Sequence, residues 1–80
     1  MNKEETKEQV QEIFRDILDD EDLILTDNTT AHDVDGWDSL SHIQLVVAME
    51  KHFKIKFTAK EILSWKNVGE LIDSIVVKSV

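Results

Sequence analysis

Asp35-Gly36-Trp37-Asp38-Ser39-Leu40 opens a run of helical periodicity that continues from Ser41 to Phe53, and the rest of the chain reads as scaffold around it. Gly36 permits a backbone turn that a residue with a Cβ would resist. Asp38 is a preferred N-cap before the apolar-periodic residues that begin at Leu40, which makes Ser39 the first helical residue. Its hydroxyl is then expected beside backbone N–H groups with no intrahelical partner, at the positive end of the helix dipole, where an anion is stabilised. A phosphate ester on Ser39 would fit there. Taken alone, Asp38 and Ser39 are equally a good helix start and nothing more.

From Leu40 to Phe53 the apolar residues are too many for one stripe of a helix. Leu45, Val46, Met49 and Phe53 form one strip, while Leu40, Ile43 and Val47 form a neighbouring strip continuous with Ser39. Two arrangements satisfy this pattern. Either the helix is central and wrapped on most sides, or the second strip is an exposed docking surface beside a modifiable serine.

Composition narrows the classes. Eighty residues make one expected domain, 1–80, and at this size folding withdraws only roughly 60% of the chain's surface from water, which leaves no room for an enclosed catalytic pocket. Seventeen acidic against nine basic residues, a formal net charge of −8, oppose binding to nucleic acid or to an anionic membrane. Without cysteine there is no disulfide, thiolate metal site or internal nucleophilic thiol. No run approaches membrane-spanning length and the N-terminus lacks an apolar signal region, so a cytoplasmic, soluble monomer is expected.

The remaining segments read as helices and connectors. Val10, Ile13, Phe14, Ile17 and Leu18 mark the apolar face of a first helix from about Lys3 to Leu18, with Glu4, Glu5, Lys7, Glu8, Glu12 and Arg15 on a solvated face. Asp19-Asp20-Glu21-Asp22 places acidic charge where the dipole prefers cations and should fray the last turn. A long loop follows, in which Leu23, Ile24 and Leu25 form an apolar patch and Leu25 and Val34 are the expected pins to the bundle. Lys54-Ile55-Lys56-Phe57 alternates like a short strand but has no evident partner, so an extended connector with Ile55 and Phe57 plugging the core is expected. Thr58-Ala59-Lys60-Glu61 is a capping box for a short helix ending near Ser64 or Trp65, with Ile62 and Leu63 turned inward and Trp65 flanking the core. Asn67-Val68-Gly69-Glu70 has similar logic before the periodic face Val68, Leu71, Ile72, Ile75 and Val76. The fold class is therefore all-α: a four-helix bundle with three longer helices, one short helix and a long first loop.

Two catalytic or metal readings fail on spacing. With Gly36 at the sixth position of an EF-hand loop that includes Asp33-Val34-Asp35-Gly36, the first position is Ala31 and the twelfth His42, so both required carboxylates are missing. Ser39 and His42 lack a third orienting group and the nucleophile-elbow pattern, and His42 is expected to face solvent. His32 and His52 have no metal-ligand spacing. Neither a metal site nor a catalytic residue is assigned. Trp37 is large enough to serve a core or a partner surface, and its place in the loop before Asp38 leaves both open.

Gly36-Trp37-Asp38-Ser39-Leu40-Ser41-His42-Ile43-Gln44-Leu45 resembles the phosphopantetheine attachment site of acyl carrier proteins, and the likeness extends over nearly the whole chain in length, helix order and apolar spacing. The resemblance implies that a phosphopantetheinyl transferase moves 4'-phosphopantetheine from coenzyme A onto Ser39, and that the arm's thiol then holds acyl groups as thioesters. Asp38 would cap the helix and assist transferase docking. Trp37, Leu40, Ile43, Gln44 and Val47 would meet acyl-loading and acyl-processing enzymes, and the protein itself would catalyse nothing. Housekeeping fatty-acid carriers of this family typically have acidic residues at the positions of Ser41, Gln44 and Lys51. This chain has none, which implies partners outside standard fatty-acid biosynthesis, in a polyketide or other specialised acyl or aminoacyl pathway. An aminoacyl or peptidyl carrier and an unmodified helical interaction module are the alternatives.

Overall fold

The protein is seen in a computed structural model that describes residues 2–34 and 36–78; Asp35, which opens the stretch above and belongs to the failed calcium loop, lies outside the described residues. Helix α1 (Lys3–Leu18) starts on Asn2, whose side-chain oxygen accepts the Glu5 N–H at 2.8 Å. It ends where Asp19 turns left-handed (φ 53°) and the Asp20 N–H reaches back to the Arg15 carbonyl at 3.0 Å. Helix α2 (Ser39–Phe53) ends on Lys54, again left-handed. Helix α3 (Ala59–Ser64) begins with the expected box, Thr58 and Glu61 each accepting the other's backbone N–H. Helix α4 (Val68–Lys78) uses Asn67 to accept the Glu70 N–H at 2.9 Å, while the Glu70 carboxylate reaches one residue further back, to the Lys66 N–H.

Helix α1 packs against α2 and α4, and the fully buried centre is Val10 and Phe14 from α1, Leu45 and Met49 from α2, and Val68, Leu71, Ile72 and Ile75 from α4. Leu25 and Val34 close this core from the loop, as their apolarity predicts. Ile55 and Phe57 pack against it from an extended connector. Leu63 departs from expectation: it is 84% exposed. Neighbouring helix positions differ by about 100°, so with Ile62 against the core Leu63 turns outward. Ile24 also faces solvent, so the apolar triplet 23–25 is split between core and surface.

The long loop contains one 3-10 turn, Ala31–Asp33, held by Asp33 accepting the Thr30 N–H at 3.0 Å. Its start is laid over the face of α1 that reads as solvated. Arg15 Nε donates to the Leu23 carbonyl at 2.7 Å, and Gln11 accepts the Leu25 N–H at 2.8 Å. Its middle caps α4, because the Thr29 and Asp27 carbonyls accept the N–H groups of Val68 and Gly69 at 2.8 and 2.9 Å. Helix ends leave such donors without intrahelical partners, so loop and helix satisfy each other.

This contact makes Gly69 obligatory. A Cβ there would lie 2.9 Å from the Asp27 carbonyl oxygen and 3.2 Å from the Asp27 Cβ, with backbone rather than a flexible tip in the way. Alanine gains up to about 1 kcal/mol in helix propensity, less at a helix start, while overpacking costs about 1–3 kcal/mol. Gly69→Ala is expected to lower the unfolding free energy by about 1–2 kcal/mol in urea denaturation, with faster amide exchange in the first turn of α4 and in loop residues 26–29.

Candidate functional site

The site is built on the start of α2. Gly36 takes φ +85°, the turn its missing Cβ allows. Asp38 Oδ1 accepts the Ser41 N–H at 2.9 Å, and Ser41 Oγ in return accepts the Asp38 N–H at 2.8 Å and donates to the Gly36 carbonyl at 2.6 Å. These bonds to Ser41, with a further one from the Leu40 N–H, hold the Asp38 carboxyl below its ordinary value, so it stays ionised at neutral pH. Ser41 is buried, so the residue read as a surface position lacking a charge is part of the helix start instead.

Ser39 is exposed as the first residue of α2, and among the described residues its side chain makes no hydrogen bond. The free N–H groups expected beside it are partly occupied, since the Asp38 carboxylate holds those of Ser41 and Leu40 and Ser41 Oγ holds that of Asp38. An ester on Ser39 would therefore rely on the open position of the hydroxyl more than on the helix end as a ready anion cradle.

The two strips of α2 separate as the pattern requires. Leu45, Val46 and Met49 are buried, whereas Leu40 is 67%, Ile43 62% and Val47 43% exposed. Gln44 is exposed beside them. Trp37 goes the other way and stands half-buried, its ring edge-on to Phe14 with centroids 4.9 Å apart.

A cleft of about 550 Å³ runs from Ser39 between α2 and α3. Ile43, Ile62, Leu63, Trp65 and Leu71 give it an apolar lining, and Trp37, Asp38, His42 and Lys66 complete its walls. Sequence reasoning singled out Ser39, Trp37 and Ile43 but no cleft, because α3 is too short to show a face by periodicity. His42 is the main correction. It does not face solvent; its ring lies between Trp37, stacked at 6.1 Å, and Trp65, edge-on at 6.1 Å. Trp37 Nε1 donates to His42 Nδ1 at 3.1 Å. A signal was available: position 42 is three residues from both Ser39 and Leu45, on the seam between the strips.

Burial lowers the His42 pKa from its ordinary 6.5. The fold thus favours the neutral ring, and the unfolded chain binds the proton more readily. Stability is full above pH 6.5 and falls as pH drops below it, until the folded ring titrates as well. Asp38 and Glu61, both lowered, act in a separate range, because their contribution is present above their ordinary 3.8 and 4.5 and is lost only below. Urea denaturation is expected to give lower stability at pH 5.5 than at 7.5, and His42→Phe is expected to flatten that difference.

The family described as the phosphopantetheine attachment site matches residues 8–75, a span that includes Ser39 and most of every helix. Among solved structures, the chain is similar to the solution structure of a holo acyl carrier protein from Geobacter metallireducens, with 46% identity over 91% of this chain and 84% of that one, and a TM-score of 0.87. Among curated proteins, none matches.

Proposed function

The chain belongs to the phosphopantetheine attachment-site family, and from that premise we propose that it is an acyl carrier protein whose 4'-phosphopantetheine arm, taken from coenzyme A, is attached at Ser39. The observation that carries this assignment is the exposed, unbonded Ser39 hydroxyl at the head of α2, flanked by an exposed apolar strip and opening onto an apolar cleft.

The residues present fit such a group. In a transferase complex Ser39 Oγ is free to attack phosphorus, since no hydrogen bond to a described residue has to be broken first. The attack would form the Oγ–P bond and break the P–O–P bridge of coenzyme A, the adenosine bisphosphate part leaving and the Ser39 hydroxyl proton passing to a base of the transferase. Asp38 holds the turn and keeps Ser39 at the helix head. When bound, the arm supplies a thiol that holds an acyl group as a thioester. Leu40, Ile43 and Val47 offer apolar contact to the transferase and to acyl-loading and acyl-processing enzymes, with Gln44 and the open side of Trp37 at the edge of that surface. The cleft beside Ser39 receives the acyl chain between encounters. On this reading residues 1–80 form one carrier domain that catalyses no reaction, works as a monomer and resides in the cytoplasm. No helix among the described residues is long and apolar enough to cross a membrane.

Charge supports partners outside standard fatty-acid synthesis. Twelve of the seventeen acidic residues lie in the first 35 positions, while five of the nine basic residues lie between Lys51 and Lys66. The α2–α3 side that presents Ser39 is therefore not the acidic part of the molecule, and a basic enzyme surface gains little by approaching it.

Two measurements follow. Incubation with coenzyme A, magnesium and a broad-specificity phosphopantetheinyl transferase is expected to raise the intact mass by one phosphopantetheine, and Ser39→Ala is expected to show no gain while remaining helical by circular dichroism. A folded wild-type protein that gains no mass would overturn the carrier assignment. In the second, fatty-acid synthase enzymes are expected to use the holo-protein several-fold more slowly than their own carrier, and Gln44→Glu with Lys51→Glu should recover part of the difference at low salt. Equal use, with no gain from the added acids, would place the protein in ordinary fatty-acid synthesis.

A further inference from the structure

The exposed strip of Leu40, Ile43 and Val47 continues past Val47. Steps of three and four residues keep to one helix face, and the next ones reach Lys51 and the cap residue Lys54. A hollow of about 440 Å³ opens there, in which Val47 and Ile55 supply apolar surface and Lys51, Lys54, Lys56 and Glu50 the rest of the lining. All three lysines are exposed, and among the described residues none of their ammonium groups is paired with an acid. Glu50 is the only acid between Ser39 and Lys60, and its Oε2 accepts the Phe57 N–H at 2.8 Å. A helix C-terminus prefers a cation in its last turn, which accounts for Lys51. Lys54 and Lys56 lie beyond that turn and are not explained by it.

A lone anion gains little among exposed lysines, because water screens each pair. A surface that brings several carboxylates together with an apolar side chain gains more, since the apolar contact excludes that water. The net charge of −8 does not forbid such a partner. The acids of α1 lie on its exposed face, away from its contact with α2. Two helix diameters put that face roughly 20 Å from the outer face of α2, whereas the Debye length at physiological salt is about 8 Å. An acidic surface is thus repelled from α1 and the loop and admitted at the end of α2, which orients the encounter. We propose that this end of α2 is a docking seat for an acidic enzyme surface, on which an apolar side chain flanked by carboxylates enters the hollow while the strip toward Ser39 is covered. By the helix rise, Lys51 stands roughly 18 Å along the axis from Ser39, and the partner's acids lie about that far from the opening at which it meets the arm. That the partner is an enzyme rests on the reading that Ser39 holds the arm; the seat itself does not depend on it.

The test begins with the unmodified full chain and two helical peptides of about 20 residues that share one apolar face, one with glutamate and one with lysine on the remaining positions. Binding is followed by NMR titration of the backbone amides at about 25 and about 250 mM salt. The glutamate peptide is expected to shift the amides of residues 43–56 and to bind roughly tenfold more tightly than the lysine peptide, a preference that fades at the higher salt. Lys51→Glu with Lys56→Glu, which spares the left-handed Lys54, should abolish that preference while the protein remains helical by circular dichroism. Equal binding of the two peptides to this face, or none by the glutamate peptide, would overturn the proposal. So would pelleting of the wild-type protein with phosphatidylglycerol vesicles that the same substitutions abolish, since the seat would then read lipid. The second arm uses the holo-protein and an acyl-loading enzyme that charges it. There the double substitution is expected to lower kcat/KM about tenfold at low salt and leave kcat in place. An unchanged or raised kcat/KM refutes the docking role. Failure to load Ser39 is seen in the intact mass and withdraws the enzyme partner while the peptide preference stands, which tells the two failures apart.

Discussion

The reciprocal bonds between Asp38 and Ser41, closed onto the Gly36 carbonyl, set the rotational phase of α2. A helix is a rigid screw, so fixing its first turn decides which residues face inward four turns later. With that phase, Leu45, Val46 and Met49 enter the core, Leu40, Ile43 and Val47 remain outside, and Ser39 stands at the exposed corner between them. A different start, displaced by one residue, would turn each position by about 100° and take the apolar strip and the core strip out of their present places. Asp38 therefore contributes to the site through the backbone: it determines where the hydroxyl is and which side chains accompany it.

The loop gives the second constraint. In a chain this short the core is small, and a connection as long as the one between α1 and α2 would be a liability if its backbone polar groups were buried without partners. They are provided for at a distance: Arg15 and Gln11 hold its first part, and the first N–H groups of α4 hold its middle. The ion pairs of Lys3 with Asp27 and Asp73, at 3.4 and 3.2 Å, join the same three segments but are largely exposed and add little. Loop, α1 and α4 thus form one body on which the head of α2 rests, and the turn before Ser39 inherits its rigidity from there.

How far this was legible in the sequence depends on the range of the interactions. Local ones were readable: the Thr58 and Asp38 caps, the two strips of α2, and Leu25 and Val34 as apolar pins all follow from residue type and spacing. The misses are contacts between distant segments. Arg15 and Gln11 lie on a polar face that looks solvated until the loop is laid over it. Leu63 is in a helix of six residues, too short for periodicity to distinguish inside from outside. Ser41 looked like a surface position because its bonds are to backbone groups, which a sequence does not display. His42 is the clearest case. Its i+3 relation to Ser39 placed it on the seam of α2, but only the arrival of Trp65 from beyond α3 turns that seam into an enclosed wall.

Exposure of Leu40, Ile43, Val47 and Leu63 invites contact between copies of the chain, and the charge distribution bears on this. An apolar strip open to solvent favours self-association, which a net charge of −8 opposes through long-range repulsion between copies. Charge placed directly around the strip would have hindered partners as well. Instead the acids are concentrated on α1 and the loop, while α2 presents its strip on the side away from its contact with α1. Repulsion between like molecules acts at a range set by the whole charge, whereas the surface immediately around Ser39 and the strip carries few acids. The half-buried His42 fits the same separation: its neutral ring puts no ion against the apolar lining of the cleft.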